Sequence, residues 1–209
     1  MKVLIGSGNP GKLSEMFFYL RQAGLEPVSG MDYTLEVSET GSSPLENARL
    51  KAAAYSKASG LPCVAFDSGM LLLGIPADDP RQPGTHVRRI GEKRMEDEEM
   101  IAHYQEIARS LGGRVQGQWV TGFAAAMPDG RMISGDDAEN QPNSWKFWLV
   151  EERSGEPLKG KPLSCISLEG DTGRYVNADR EHDGASAQRR KAIYLRAVEA
   201  IQKMLNEKI

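Results

Sequence analysis

The run Ser7-Gly8-Asn9-Pro10-Gly11-Lys12 constrains this chain more than any other. It closes an apolar stretch, Val3-Leu4-Ile5, and opens an amphipathic one carrying Leu13, Met16, Phe17 and Leu20. That order predicts a strand, a glycine-rich turn and a helix start. Backbone N–H groups at a helix N-terminus, the positive end of the helix dipole and a lysine ammonium together favour a phosphate. The segment therefore points to a phosphorylated small molecule. Gly6 to Lys12 also satisfies G-x-x-x-x-G-K, but the hydroxyl residue that a P-loop needs after its lysine is Leu13 here. Ser14 comes one place late, about 100° further round a helix. A glycine–proline connection with no ligand is the competing reading, and the rest of the chain weighs against it.

A chain of 209 residues is one α/β domain or two small lobes, and in either case buries roughly 70% of its unfolded surface. A net charge of −3 and a pI near 5.7 give no basic footprint for polymeric nucleic acid. Cys63 and Cys165 sit in apolar runs, which fits buried thiols in a reducing compartment. No segment approaches the roughly 18 uninterrupted apolar residues of a membrane span, and no signal peptide is apparent, so a cytoplasmic, non-membrane protein is expected.

Along the chain, Ser43-Pro44-Leu45-Glu46 combines an N-cap serine, a first-turn proline and a glutamate at the third position, a capping box opening an alanine-rich helix that ends near Gly60. Residues 61–66 read as a strand ending on Asp67-Ser68-Gly69, with 71–73 as a further candidate. Strand, helix, strand with polar residues at strand ends is the α/β pattern whose ligands gather beyond the carboxyl edge. Residues 76–95 read as a surface loop and 96–111 as a helix. Residues 117–127 and 131–134 flank the hairpin turn Pro128-Asp129-Gly130. Residues 145–150 and 163–168 read as strands, 170–186 as a loop and 187–208 as the last helix.

Four groups call for a joint explanation: the Ser7/Asn9/Lys12 turn, Glu39, the helix face shared by Asn47 and Lys51, and Asp67-Ser68-Gly69. The capping box accounts for Glu46, whereas Glu39 has no such local role. Asp67 is balanced between a turn-capping acid and a working group. Two carboxylates beside two lysines and an anion-binding turn describe a site for a metal-bridged polyphosphate, with Glu39 and Asp67 as oxygen ligands for magnesium. With charge withdrawn from the phosphates, a water oriented by a carboxylate attacks the α-phosphorus and pyrophosphate leaves. His86, His103 and His182 lack metal spacing. Trp119, Trp145 and Trp148 read as core or dimer surface, with stacking on a base as the alternative, and Arg88 and Arg89 as either solvated or phosphate-clamping.

These residues resemble the motifs of a known family, the non-canonical purine nucleoside triphosphate pyrophosphatases, also called the inosine triphosphatase or Ham1-like family. Its T/S-x-N-x-x-K resembles Ser7 to Lys12, and its E-T-G and E-N-A-x-x-K resemble Glu39-Thr40-Gly41 and Glu46-Asn47-Ala48-Arg49-Leu50-Lys51. Its G-x-P-x-x-A-D-D-S-G-L is similar to residues 60–70, and its P-G-x-x-x-x-R to Pro83-Gly84 and Arg89. The resemblance implies an elongated mixed β-sheet flanked by helices, two lobes with a central cleft within one domain, 1–209, and a homodimer. It implies a nucleoside triphosphate as substrate, such as inosine or xanthosine triphosphate, cleaved with Mg2+ to the monophosphate and pyrophosphate. It implies metal binding by Glu39 and Asp67, Asp67 as general base, and phosphate contact by Ser7, Gly8, Asn9, Lys12 and Lys51. Substrate contact is implied for Ser68, and Asn47, Gly69, Arg89, Gln188 and Arg189 are read as further substrate-binding candidates.

The second half departs from the family. Phe66 replaces the first Asp of D-D-S-G, F-G-Y-D-P has only a poor echo in Gly160-Lys161-Pro162-Leu163, and S-H-R-x-x-A-L becomes residues 187–193, keeping only Arg189. A family lysine five residues before that histidine falls on Asp183. The phosphate and metal parts are kept while the base-reading parts change. A nucleotide-binding protein of the same fold with weakened catalysis is the alternative function.

Overall fold

The computed structural model describes residues 1–33, 35, 37–91, 93–138, 141, 145–170, 172–178 and 185–207; His182 and Asp183 lie outside them. Among these residues the chain is mixed α/β, with a central mixed sheet flanked by helices. Its elements are β1 (Lys2–Gly6), α1 (Pro10–Gln22), β2 (Glu26–Ser29), α2 (Pro44–Ser59), β3 (Cys63–Leu73), β4 (Arg89–Ile90), β5 (Lys93–Arg94), α3 (Asp97–Ser110), β6 (Arg114–Ala126), β7 (Met132–Asp136), β8 (Phe147–Val150), β9 (Ser167–Glu169) and α4 (Ala185–Asn206). They form two compact units, Met1–Ser68 with Thr121–Glu139 and Arg190–Ile209, and Gly69–Val120 with Asn140–Arg189.

In the first unit the strand order is β2-β1-β3-β6-β7, with β1 parallel to both neighbours and β7 antiparallel to β6. Side chains alternate across this sheet with a period of two. Val64, Phe66, Phe123 and Ala125 join one buried cluster with Leu13, Met16 and Leu20 of α1 and Ile193, Tyr194, Ala197 and Ile201 of α4. Ala65, Ala124 and Ala126 point the other way and meet Ala48 and Ala52 of α2. The first face is built from large side chains and holds two helices. The second is built almost wholly from methyl groups, so α2 lies very close to the strands. Gly122 marks the closest approach, because a Cβ there would stand 2.5 Å from the Leu45 backbone.

The second unit has the order β6-β8-β9 and the separate β4–β5 ribbon. Its core gathers Met70, Leu72, Tyr104, Ile107, Leu149, Cys165 and Ile166, and Trp119 stacks on Phe147 at 5.8 Å. Trp148 lies under the Arg114 guanidinium at 4.8 Å. No described helix is long and apolar enough to cross a membrane.

Two expectations are corrected. The strand expected to stop at residue 66 continues to Leu73, so Asp67-Ser68-Gly69 is interior strand and not a turn. The strand expected over 163–168 is a 3₁₀ turn, Pro162–Ile166, followed by the short β9. Pro162 opens that turn, and the Ser164 hydroxyl accepts from the Leu158 N–H at 2.8 Å, which folds the apolar run back on itself. The last helix begins at Ala185, two residues earlier than its periodicity indicates.

Candidate active site

The close seat of α2 brings its polar edge onto an acid in mid-strand. Asp67 is an odd-numbered residue of β3, so it faces α2 together with Ala65. There the Asn47 amide donates to Oδ2 at 3.2 Å and Lys51 Nζ donates to Oδ1 at 2.8 Å. Asn47 and Lys51 are one helical turn apart, and their shared face is the one that meets the sheet. Asp67 is 7% exposed, and its charge is tolerated in the strand because both oxygens are satisfied. Glu39 completes the arrangement, with Oε1 2.7 Å from the same Lys51 Nζ. Asn47 also ties down the preceding loop, its Oδ1 accepting from the Gly41 N–H at 2.8 Å. Gly41 must be glycine at this approach, since a Cβ would stand 2.7 Å from that oxygen.

Burial pulls the Lys51 ammonium down, but the charge and hydrogen bond of Asp67, followed by those of Glu39, outweigh it and raise its pKa. Two carboxylates and one ammonium leave the cluster with a net charge of one minus. Both carboxylates already converge on a single cationic atom, which is what a hard divalent cation asks of its protein ligands. Magnesium takes one or two carboxylates and leaves its other positions to water and phosphate oxygens. Among the described residues no group of three or more His, Cys, Asp or Glu side chains gathers for a metal. Two carboxylates converging on one cationic atom fit the small number of protein ligands that magnesium takes.

Phe66, standing where an acid was expected, faces away from this cluster. Its ring packs edge-on against Tyr194 at 4.9 Å on the α1/α4 face. The substitution removes no carboxylate from the Glu39–Lys51–Asp67 group.

The turn after β1 lies at the same end of the sheet. Gly6 pairs with Ala65, so β1 gives way to the turn two residues before β3 reaches Asp67. Within the turn, the Ser7 hydroxyl accepts from the Asn9 N–H at 3.2 Å, and Asn9 Oδ1 accepts from Gly11 and Lys12 N–H at 2.9 and 3.3 Å. Asn9 is thus the N-cap of α1. The N–H groups read as phosphate donors are held by the chain's own side chains, and an anion entering there takes over a polarity that is already in place.

The capping box of α2 is shifted by one residue from the expected form. Ser43 Oγ accepts from Glu46 N–H at 3.2 Å, but the Glu46 carboxylate returns to Ser42, accepting from its N–H at 2.7 Å and its hydroxyl at 2.9 Å. The Ser42 backbone bond, then its hydroxyl, holds the Glu46 pKa down. Ser7, Gly8, Asn9, Lys12, Glu39, Asn47, Lys51, Asp67 and Ser68 all belong to the first unit; Gly69, Arg89, Gln188 and Arg189 belong to the second. There Gly69 is buried in β3, Arg89 exposed in β4, Gln188 exposed and Arg189 buried in the first turns of α4.

Sequence reasoning missed Thr121 and Asp137. Ser68 Oγ lies 3.1 Å from Thr121 Oγ1, and the Thr121 N–H donates to Asp137 Oδ1 at 2.6 Å. The available signal was a second acid, Asp137, just past the predicted hairpin strand. Cys63 and Cys165 are buried free thiols, and burial pushes Cys63 up to about 12. His103 packs against Tyr104, and burial lowers its pKa.

Residues 3–138 match the Ham1 family. The chain belongs to the Ham1 family. A dITP/XTP pyrophosphatase of Thermus thermophilus is 33% identical over 195 residues, spanning 92% of this chain and 88% of that protein. A dITP/XTP pyrophosphatase of Synechocystis is 37% identical over 164 residues, 72% of this chain and 80% of that one. The Ham1 protein of Staphylococcus aureus superposes with a TM-score of 0.72 over 98% of this chain and 100% of its own, at 19% identity, a likeness of fold. In this Ham1 chain the matched segment contains the whole Glu39–Asn47–Lys51–Asp67 cluster and the 7–12 turn.

Proposed function

We propose that this chain is a magnesium-dependent nucleoside triphosphate pyrophosphohydrolase that releases pyrophosphate and a nucleoside monophosphate. The observation that carries the reading is Asp67, a strand acid held by Asn47 and Lys51, with Glu39 on the same ammonium. The names of its relatives, dITP/XTP pyrophosphatases, support a purine triphosphate as substrate.

Glu39 and Asp67 are the residues to hold magnesium, which when bound neutralises charge on the phosphate oxygens. Lys12 and the N–H groups of the 7–12 turn bind phosphate at the positive end of α1. Lys51 holds the Asp67 and Glu39 carboxylates on one ammonium. Asn47 fixes the Asp67 carboxylate plane by donating to one oxygen. The other Asp67 oxygen accepts from Lys51 and, through its second lone pair, takes the proton of a water whose oxygen attacks the α-phosphorus as pyrophosphate leaves. Ser68 binds a phosphate oxygen, and Gly69, Arg89, Gln188 and Arg189 are further candidate nucleotide contacts. The whole chain acts as one domain, cytoplasmic and homodimeric, with no nucleic-acid polymer or membrane as partner.

Asp67→Asn preserves the shape of the side chain but removes the base. Turnover should fall by roughly 10² to 10⁴ with the fold intact. Wild-type turnover in a folded Asp67→Asn variant would remove Asp67 from the mechanism.

A further inference from the structure

We propose that Thr121 and Asp137 are positioning residues that orient the Ser68 hydroxyl toward an anionic ligand, an inference that rests on the pyrophosphohydrolase reading. The β6–β7 ladder ends where Gly122 meets Asp136. One step further, Asp137 takes over both backbone groups of Thr121. Its N–H donates to the Thr121 carbonyl at 3.2 Å, and its side-chain Oδ1 accepts from the Thr121 N–H at 2.6 Å. A carboxylate acceptor makes this a strong hydrogen bond, and both residues are buried, Thr121 at 7% and Asp137 at 8% exposure.

The clamp fixes a residue whose hydroxyl meets that of Ser68. Odd residues of β6 and even residues of β3 share the α1/α4 face, so Thr121 and Ser68 point to the same side, with their hydroxyl oxygens 3.1 Å apart. That is the face on which α1 packs, and α1 begins in the 7–12 turn. Asp67, the preceding residue along β3, points to the opposite face. Ser68 is therefore the position at which the strand passes from the carboxylate cluster to the side of the phosphate turn.

Hydrogen-bond polarity then decides what Thr121 must be. Phosphate oxygens only accept, so Ser68 must give its single proton to the ligand. Thr121 must in turn donate to Ser68, and a chain of donors running in one direction strengthens each link. Serine at 121 supplies that donor; valine, of nearly the same shape, does not.

The test is steady-state pyrophosphate release from purine triphosphates, with kcat and KM separated, for Thr121→Val, Thr121→Ser, Asp137→Ala and the Val/Ala pair. Thr121→Val should lower kcat/KM by about 3- to 10-fold at unchanged Tm, and Thr121→Ser should stay near wild type. Asp137→Ala should match Thr121→Val, and the pair should be no worse than either alone. If Asp137→Ala fails to fold, the valine and serine variants carry the test. Wild-type kcat/KM in Thr121→Val, or a serine variant as impaired as the valine one, overturns the inference while leaving the enzyme reading intact. A wild-type protein that releases no pyrophosphate overturns both.

Discussion

Replacing Lys51 by methionine removes the ammonium on which two carboxylates converge while leaving most of the side chain's packing. The Asp67 arm is short, 2.8 Å, and the Asp67 side chain is 10% exposed, so its charge-assisted bond counts nearly in full, about 2 kcal/mol. The Glu39 arm ends on a carboxylate that is 52% exposed and adds little. A loss of about 2 kcal/mol lowers Tm by roughly 4 to 8 °C for a chain of this size. Because the variant removes the ammonium that both carboxylates share, a divalent cation should bind them more tightly than in the wild type. Thermal unfolding followed by circular dichroism near neutral pH, in EDTA and in millimolar magnesium, reads both effects. Lys51→Met should melt lower than wild type in EDTA and recover part of the difference in magnesium. Equal melting in EDTA would show that Lys51 does not hold these acids, and a variant that gains no stability from magnesium would show that the carboxylate pair is not the cation site.

The same lysine sets an alkaline limit: its pKa is raised above the ordinary 10.5, so its contribution to stability is whole below that value and is lost as pH rises through the folded one. The stability difference between wild type and Lys51→Met should therefore shrink above pH 10.5 in a urea titration, and a constant difference would refute the assignment. Gly122→Ala forces a methyl to within 2.5 Å of the Leu45 backbone, where no flexible side chain can yield; a loss of about 1–3 kcal/mol in urea unfolding, with pyrophosphate release falling as α2 is pushed off Asp67, is expected. Cys63, buried and with its thiol pushed up to about 12, should resist iodoacetamide in the native protein and react on unfolding, as read by mass spectrometry.

The parts of the site that could be read from sequence are those with local causes. Ser43-Pro44 announces the start of α2 through capping chemistry that needs no tertiary partner, and the four-residue spacing of Asn47 and Lys51 fixes their common face. The length of β3 was hidden because Asp67-Ser68-Gly69 has the composition of a turn. Only the approach of α2, which supplies Asn47 and Lys51 as partners, makes an acid acceptable inside a strand. The facing of Phe66 follows from the continuation of that strand, since a turn at 67 would have left its direction open. The 162–166 turn was misread because an apolar run with a β-branched residue looks alike in a buried strand and a buried 3₁₀ turn. Thr121 and Asp137 carried no local signal of a pairing: it depends on where the β7 ladder ends, which is a property of register.

The central claim is tested most directly by presenting the wild-type protein with inosine, xanthosine and common nucleoside triphosphates in magnesium and measuring pyrophosphate and orthophosphate separately. The account predicts pyrophosphate from one or a few purine triphosphates, dependent on magnesium and all but lost in Asp67→Asn. Orthophosphate as the first product, or thermal stabilisation by a nucleotide with no pyrophosphate from any of them, would contradict it.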